Sequence, residues 1–316
     1  MNILVVGAGA VGQVYARYLG EAGHAITFFV KARHAAALAD GLALHKLGHL
    51  RRQSEVWRDY AVVSDIADIA AGQWDQVWLC MASDALRSPL SQQVLAAVGA
   101  AAVVCLQPGP EDADWVRQQL PATATLVQGL ITFISYQSPL PEREGPEGMA
   151  YFVSPLAPGL FSGPRAAVQR VVEALKAGGM SAREVADLGG AGAGAEAVMI
   201  PLIAALEQHN WKLGGFGGSA QLALGRAAGE EALAVLARDR GAKVALERLI
   251  LNPLASRALL MLAPRVLPLE LEPYLEYHFT KVGRQTRDML DSYIRLGYQH
   301  GLPTTQLEAL RGGLDG

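Results

Sequence analysis

Apolar residues along this chain follow two rhythms. Up to about residue 188 they gather in short runs separated by turn-formers and by stretches of helical periodicity. Asn2 to Val6, Ala25 to Val30, Gln76 to Met81, Ala101 to Leu106 and Thr125 to Leu130 are such runs. They are too short for helices and rich in β-branched residues, so each is predicted to be a buried strand. Helical patterns lie between them, over Ala10 to Glu21 with Gly23 as the stop, and over about 111–119 behind the breaker Gln107-Pro108-Gly109-Pro110. Short strands alternating with helices predict a mostly parallel sheet covered on both faces. Met149 to Ser154 and Gly159 to Ser162 are expected to extend that sheet as antiparallel strands, and Ala166 to Ala177 to form an amphipathic helix.

The rhythm changes near Gly189. Gly189-Gly190-Ala191-Gly192-Ala193-Gly194 reads as a linker. Beyond it the periodicity is almost wholly helical, with helices expected over 194–213, 229–238, 241–255, 271–283, 284–300 and 304–311. The predicted class is therefore α/β, with one domain over residues 1–188 and an all-α domain over 189–316. The apolar stretch 244–264, interrupted at Pro253, reads as core or as a dimer face, core being the plainer reading.

Composition narrows the function classes. The chain has 316 residues, 51% hydrophobic and 18% charged, enough for two domains with sizeable cores. A net charge of -3 gives no reason to expect nucleic acid or an anionic membrane as partner. Cys80 and Cys105 both fall in predicted strands and read as buried thiols of a reduced, cytoplasmic protein. No CxxC or HExxH spacing supports a metal site. The N-terminus lacks the features of a signal peptide, and no membrane span is expected from apolar runs.

One motif carries chemistry. Gly7-Ala8-Gly9-Ala10-Val11-Gly12 is GxGxxG, placed between a predicted strand and a predicted helix. Its first glycine permits the tight turn, its second lets a pyrophosphate approach the backbone, and its third lets helix pack on strand. The helix N-terminus offers free N–H groups and a positive dipole end to phosphate. This is the dinucleotide-binding Rossmann arrangement, and a turn without ligand is the bland alternative. Where NAD sites place an acid for the ribose hydroxyl, this chain reads Phe28-Phe29-Val30-Lys31-Ala32-Arg33. Two cations and no acid favour the 2′-phosphate of NADP.

The opening MNILVVGAGAVGQVYARYLGEAGHAITFFVKAR resembles the ketopantoate reductase (2-dehydropantoate 2-reductase) family, with Lys31 eight positions after Gly23 of the Gly23-His24 pair. The segment Arg295-Leu296-Gly297-Tyr298-Gln299-His300-Gly301-Leu302-Pro303-Thr304 resembles the family's final helix and its HGxP ending. The resemblance implies NADPH, an N-terminal Rossmann domain and a C-terminal helical domain of the 6-phosphogluconate dehydrogenase C-terminal-like type. It also implies reduction of a ketone with a lysine as proton donor. The family's polar residues are missing here. Its lysine after the fourth strand falls near Ala82 and its Asn-Gly at Pro108-Gly109. Its helix-borne lysine and two asparagines fall near Ala197, Pro201 and Ala205, and its last glutamate near Gln285. A relative acting on a ketone or imine other than ketopantoate is expected, as an NADP-dependent reductase of a small molecule, in a possible homodimer.

Cofactor contacts are accordingly expected at Gly7, Gly9, Ala10, Val11, Gly12, Lys31 and Arg33, and at the strand ends Met81, Ala82, Gln107 and Pro108. Glu196, next to the lost lysine position, is the candidate catalytic acid; a helix-start glutamate favoured by the dipole is the plainer reading of it. His209, Asn210 and Lys212 read as helix-end residues. Tyr277, His278, Lys281, Arg284 and Arg287 form a basic face, solvated or receiving an anion. A non-catalytic NADP-binding sensor or scaffold is the alternative function, and a methyltransferase on a similar fold is disfavoured by the GxGxxG and the missing acid.

Overall fold

The computed structural model describes residues 1–49, 51–107, 112–242 and 244–314. The chain forms two compact units, one of Met1–Pro139 with Gly145–Leu188 and one of Leu140–Glu144 with Gly189–Gly316.

The first unit runs β1 (Asn2–Val6), α1 (Ala10–Glu21), β2 (Ala25–Phe29), α2 (Ala32–Ala39), β3 (Leu42–Lys46), β4 (Gln53–Trp57), β5 (Ala61–Val63), α3 (Ile66–Ala71), β6 (Gln76–Leu79), α4 (Ser83–Leu86), α5 (Pro89–Ala97), β7 (Ala102–Cys105), α6 (Asp112–Gln119), β8 (Thr125–Leu130), β9 (Ile134–Ser138), β10 (Gly148–Phe152), β11 (Gly159–Ser162), α7 (Arg165–Ala177) and β12 (Ala182–Glu184). Among the described residues the strands make an eight-stranded sheet, ordered β12-β11-β8-β7-β6-β1-β2-β5, and a four-stranded sheet, ordered β4-β3-β10-β9. From β5 to β8 the large sheet is parallel, and β11 joins it antiparallel to β8. The strand order reverses between β1 and β6, where open α/β sheets place their ligand crevice.

The continuous apolar runs follow from burial on both faces. Ile3 and Val5 pack with Val14, Tyr15 and Leu19 of α1 and Val171 of α7. Leu4 and Val6 point the other way, into Val94 and Leu95 of α5. Tyr15 stacks at a tilt on Trp78, 4.7 Å between centroids, tying α1 to β6.

One expectation is corrected here. Met149 to Ser154 does not extend the large sheet: β10 pairs antiparallel with β9 and parallel with β3 in the second sheet. The buried ring of His45 secures that sheet, with Nδ1 2.8 Å from Ser54 Oγ and Nε2 2.9 Å from the Glu147 carbonyl oxygen. The outer strand of that sheet, β4 (QSEVW), gave no apolar signal, since all but its last residue are exposed.

The second unit comprises α8 (Leu188–Gln208), a 3-10 turn at Phe216–Gly218, α9 (Ala220–Arg240), α10 (Ala245–Leu251), α11 (Pro253–Val266), α12 (Leu271–Lys281), α13 (Gly283–His300) and α14 (Thr305–Gly312). Its core joins Ala197, Ala204 and Leu206 of α8 to Leu233 of α9, Leu290 of α13 and Leu307 of α14. Gly189 to Gly194 is not a linker but the first turns of α8. The small residues serve packing: a Cβ on Gly194 would lie 2.8 Å from a carboxylate oxygen of Glu247. Among the described residues α8 is the single helix long and apolar enough to cross a membrane, and 59% of that stretch is buried inside the protein, as in a core helix. The reading of 244–264 as core is also overturned. The stretch forms α10 and α11, bent by 73° at the Asn252 cap, and most of its large apolar side chains are exposed.

Candidate active site

The crevice begins where β1 ends. Gly7 turns the chain at φ +103°, a backbone conformation that disfavours side chains, and its N–H donates to the Phe29 carbonyl at 3.0 Å. The Cys80 N–H donates to the Val6 carbonyl at 2.9 Å, so β6 is locked beside the turn. The three motif glycines then divide their tasks. A Cβ on Gly7 would stand 3.0 Å from the Cys80 carbonyl oxygen. A Cβ on Gly12 would run into the Gly7 carbonyl and lie 3.1 Å from Cys80 Cβ. A Cβ on Gly9 would meet nothing within 4 Å. Gly7 and Gly12 therefore close protein against protein, and Gly9 leaves open space over the turn.

Gly9 is also the N-cap of α1, with no side-chain cap bond and no acid in the first turn. The leading N–H groups of the helix, from Ala10 and Val11 on, are thus left to an anion. Gln13 braces the loop by donating to the Ala8 carbonyl at 2.8 Å. At the end of β2, Lys31 caps α2 and is exposed, as is Arg33. Among the described residues neither forms an ion pair with a carboxylate. An open glycine and an uncapped helix start fit the pyrophosphate of a dinucleotide, while Arg33 Nε donates to His34 Nε2 at 3.1 Å.

Met81 and exposed Ala82 follow β6 at the same carboxyl edge, the Met81 sulfur accepting from Ser91 Oγ at 3.3 Å. Gln107 has a different task from that of an open pocket wall. Its amide donates to the carbonyls of Leu79 at 2.9 Å and Met81 at 2.7 Å, and its oxygen accepts the Leu106 N–H. It staples the end of β7 to the end of β6. Pro108, with Gly109, lies outside the described residues. Burial pushes the Cys105 thiol up to about 11, and that of Cys80 further, so neither is a thiolate near neutral pH.

In the helical unit, burial raises the pKa of Glu196, with Arg240 opposing. Tyr293 of α13 is raised by burial and by the Glu196 charge, with Arg240 again opposing. Glu196, Tyr293 and Arg240 are therefore electrostatically coupled. Sequence reading missed the last two: Tyr293 falls in the apolar stripe of α13 beside Met289 and Ile294, and nothing in its spacing ties it to Glu196. Ala197 and Ala205 are fully buried, and Gly225 of α9 fits against Ala205 and the Pro201 carbonyl.

Other candidates of the helical unit make local contacts. His209 follows α8, its Nε2 3.3 Å from the Gly214 carbonyl oxygen and its ring beside Phe216. Lys212 faces Glu272 at 3.9 Å. His278 stacks on Tyr274, and burial with the Lys281 charge lowers its pKa. Arg287 donates to Glu207 and to the Leu314 carbonyl, and Arg284 pairs with Asp288 at the surface.

Residues 3–142 match the family model of ketopantoate reductase PanE/ApbA. None of the curated proteins matches the chain. Among solved structures, a PanE/ApbA family ketopantoate reductase from Ralstonia eutropha JMP134 is 20% identical with TM-score 0.70, covering 100% of this chain and 97% of that one. The 2-dehydropantoate 2-reductase from Geobacter metallireducens GS-15 is 15% identical with TM-score 0.73, covering 100% and 99%. D-mandelate dehydrogenase with NADH and anilino(oxo)acetate is 15% identical with TM-score 0.72, covering 100% and 97%. These three share the fold of the whole chain. The family match covers residues 3–142, and the likeness to the solved structures is one of fold.

Proposed function

We propose that this protein is an NADPH-dependent reductase acting on a small ketone or imine other than ketopantoate. The observation that carries the cofactor choice is the end of β2, where exposed Lys31 and Arg33 form no ion pair among the described residues and the sequence has no acid in the place of a ribose-hydroxyl acceptor. Bound NADPH would supply the hydride. The open backbone at Gly9 and the start of α1 would receive its pyrophosphate, and Lys31 and Arg33 its 2′-phosphate. Glu196 would hold the proton for the reduced group, because burial keeps its carboxyl protonated to higher pH than an ordinary glutamate.

A second reading, an NADP-binding sensor or scaffold without chemistry, draws on Ala82, Ala197, Pro201 and Ala205, where the family resemblance calls for lysine and asparagine. The two share a first test. Titration with NADPH and NADH, followed by nucleotide fluorescence, should give tighter NADPH binding. Lys31→Ala should weaken NADPH by about tenfold, one charge-assisted contact of roughly 1.4 kcal/mol, and leave NADH unchanged. Equal binding of both nucleotides sinks the NADPH assignment. Binding of neither sinks the oxidoreductase reading. Oxidation of NADPH across a panel of ketones and imines then separates enzyme from sensor.

A further inference from the structure

The last turns of α1 and one face of the second sheet enclose a polar hollow that the nucleotide crevice does not use. Strand alternation puts Lys46 of β3, Tyr151 opposite it on β10, and Glu55 of β4, opposite Leu44, on the same face of that sheet. On α1, Arg17 and Tyr18 each lie one turn before Glu21, so the three share a side of the helix. Together these residues line a hollow of about 380 Å³ that lies wholly within the first unit. Gly178, at the end of α7, packs so close behind them that a Cβ would run into the Tyr18 carbonyl. Arg17 stands about 12 Å along α1 from Gly9, so the hollow is separate from the pyrophosphate position.

We propose that this hollow binds a small zwitterion, a free amino acid, with its carboxylate on Lys46 and the two phenols and its ammonium on Glu21. Buried polar groups need partners, and the two phenols have none. Tyr151 is 4% exposed and Tyr18 7%, and neither hydroxyl forms a hydrogen bond among the described residues. The pKa of the Tyr151 phenol is raised by burial and by Tyr18, Glu55 and Glu21, with Arg17 opposing. It therefore faces the charged groups of the hollow and remains a donor at neutral pH. The free charges come in both signs. Arg17 donates to both oxygens of Glu55, at 2.9 and 2.8 Å, pairs with one oxygen of Glu21, and lies over the Trp57 ring. The second Glu21 oxygen has no partner among the described residues. Lys46 forms no ion pair among them either, and its ammonium lies over the Tyr18 ring, 5.6 Å from the centroid. A phosphate dianion would meet the carboxylates of Glu21 and Glu55, and a simple cation would leave both phenols without an acceptor. Two cations against two carboxylates make a site of no net charge with one free group of each sign, which a zwitterion matches. The hollow is also of the size that small-molecule sites have.

The test is calorimetric titration of the nucleotide-free full chain with each of the common amino acids in turn, up to millimolar concentration. Saturable binding of at least one is expected. The N-acetyl and carboxamide derivatives of that amino acid, each lacking one of its charges, should bind about tenfold more weakly. Tyr151→Phe, which removes the hydroxyl and keeps the ring, should weaken the amino acid about tenfold, as should Lys46→Gln and Glu21→Gln. Lys46 and Glu21 are exposed, so their variants should keep the melting temperature, and they decide the matter alone should Tyr151→Phe misfold. No saturable binding of any amino acid overturns the inference. Binding that all three variants leave unaltered overturns it by placing the ligand elsewhere. Derivatives that bind as tightly as the parent overturn it in favour of a simple anion or cation. The titration needs no nucleotide, so its outcome is independent of the NADPH assignment.

Discussion

Two glycines of one motif should fail in opposite ways when given a methyl group. At Gly12 a Cβ meets the Gly7 carbonyl and Cys80 Cβ at 3.1 Å. The obstacle is backbone held by the strand ladder, so α1 must lift from β1 and β6. Overpacking costs roughly 1–3 kcal/mol, and the stiff neighbour puts Gly12→Ala near ~3 kcal/mol. For a unit of this size that is about 6–12 °C in melting temperature. At Gly9 a Cβ meets nothing, and φ -79°, ψ -170° is extended backbone open to alanine. Stiffening the unfolded chain gains about 0.4–1 kcal/mol, and a poorer N-cap gives back a similar amount, so the melt should stay within about 2 °C. Its methyl group instead occupies the space a pyrophosphate needs. Losing one or two charge-assisted bonds of about 1.5 kcal/mol each weakens nucleotide binding roughly 10–100-fold. The assay pairs a nucleotide-free thermal melt with an NADPH titration for each variant. Equal loss of melting temperature in both, or unaltered nucleotide affinity in Gly9→Ala, would refute the division of labour.

Glu196→Gln should change the pH dependence of stability. The folded carboxyl has its pKa raised by burial, so its contribution is fully present below the ordinary value of 4.5 and is lost as pH rises through the folded value. The variant should melt like the wild type near pH 4 and above it near pH 8; a variant less stable at pH 8 would mean that pairing with Arg240 outweighs burial. Gln107→Ala strips the donors from the Leu79 and Met81 carbonyls and should cost about 1–3 kcal/mol by urea denaturation, a neutral result meaning that water replaces the amide. Ser219 accepts the Leu222 N–H at 3.0 Å as N-cap of α9, so Ser219→Ala should cost about 1 kcal/mol and Ser219→Gly only a few tenths.

The elements that were legible in the sequence are those whose signal is local. β1, α1 and β8 begin and end where their apolar runs and glycines say. The second sheet was not legible, because β3 and β4 pair over a short loop with polar outward faces and the buried anchor is a histidine. The glycine-alanine run at the start of α8 misled for a physical reason. Propensity prices a glycine in water, where its backbone freedom breaks helices, whereas Gly194 lies against Glu247 and its lack of a side chain is what packing needs. The exposed face of α10 and α11 was misread because apolar periodicity reports where hydrophobic side chains fall, not that the chain's own core covers them.

The same distinction bears on the missing polar residues. Ala82 sits exposed at the carboxyl edge, where a longer side chain would find room. Ala197, Pro201 and Ala205 do not: they are buried against α9, and a lysine at Ala197 would place an ammonium among apolar side chains with no partner. The helical unit has therefore closed the positions where the family resemblance would put its proton donor and amides. Glu196 stands one residue before Ala197, about 100° round the helix and only half-buried, so it escapes that core. Its carboxyl is held there at a cost, since desolvation disfavours the charge that Arg240 only partly restores. Glutamine would fit the same space without that cost. Residues kept in costly electrostatic environments concentrate at functional sites, where the perturbed proton affinity is the property in use. That perturbation is the support for Glu196 as the proton donor proposed above.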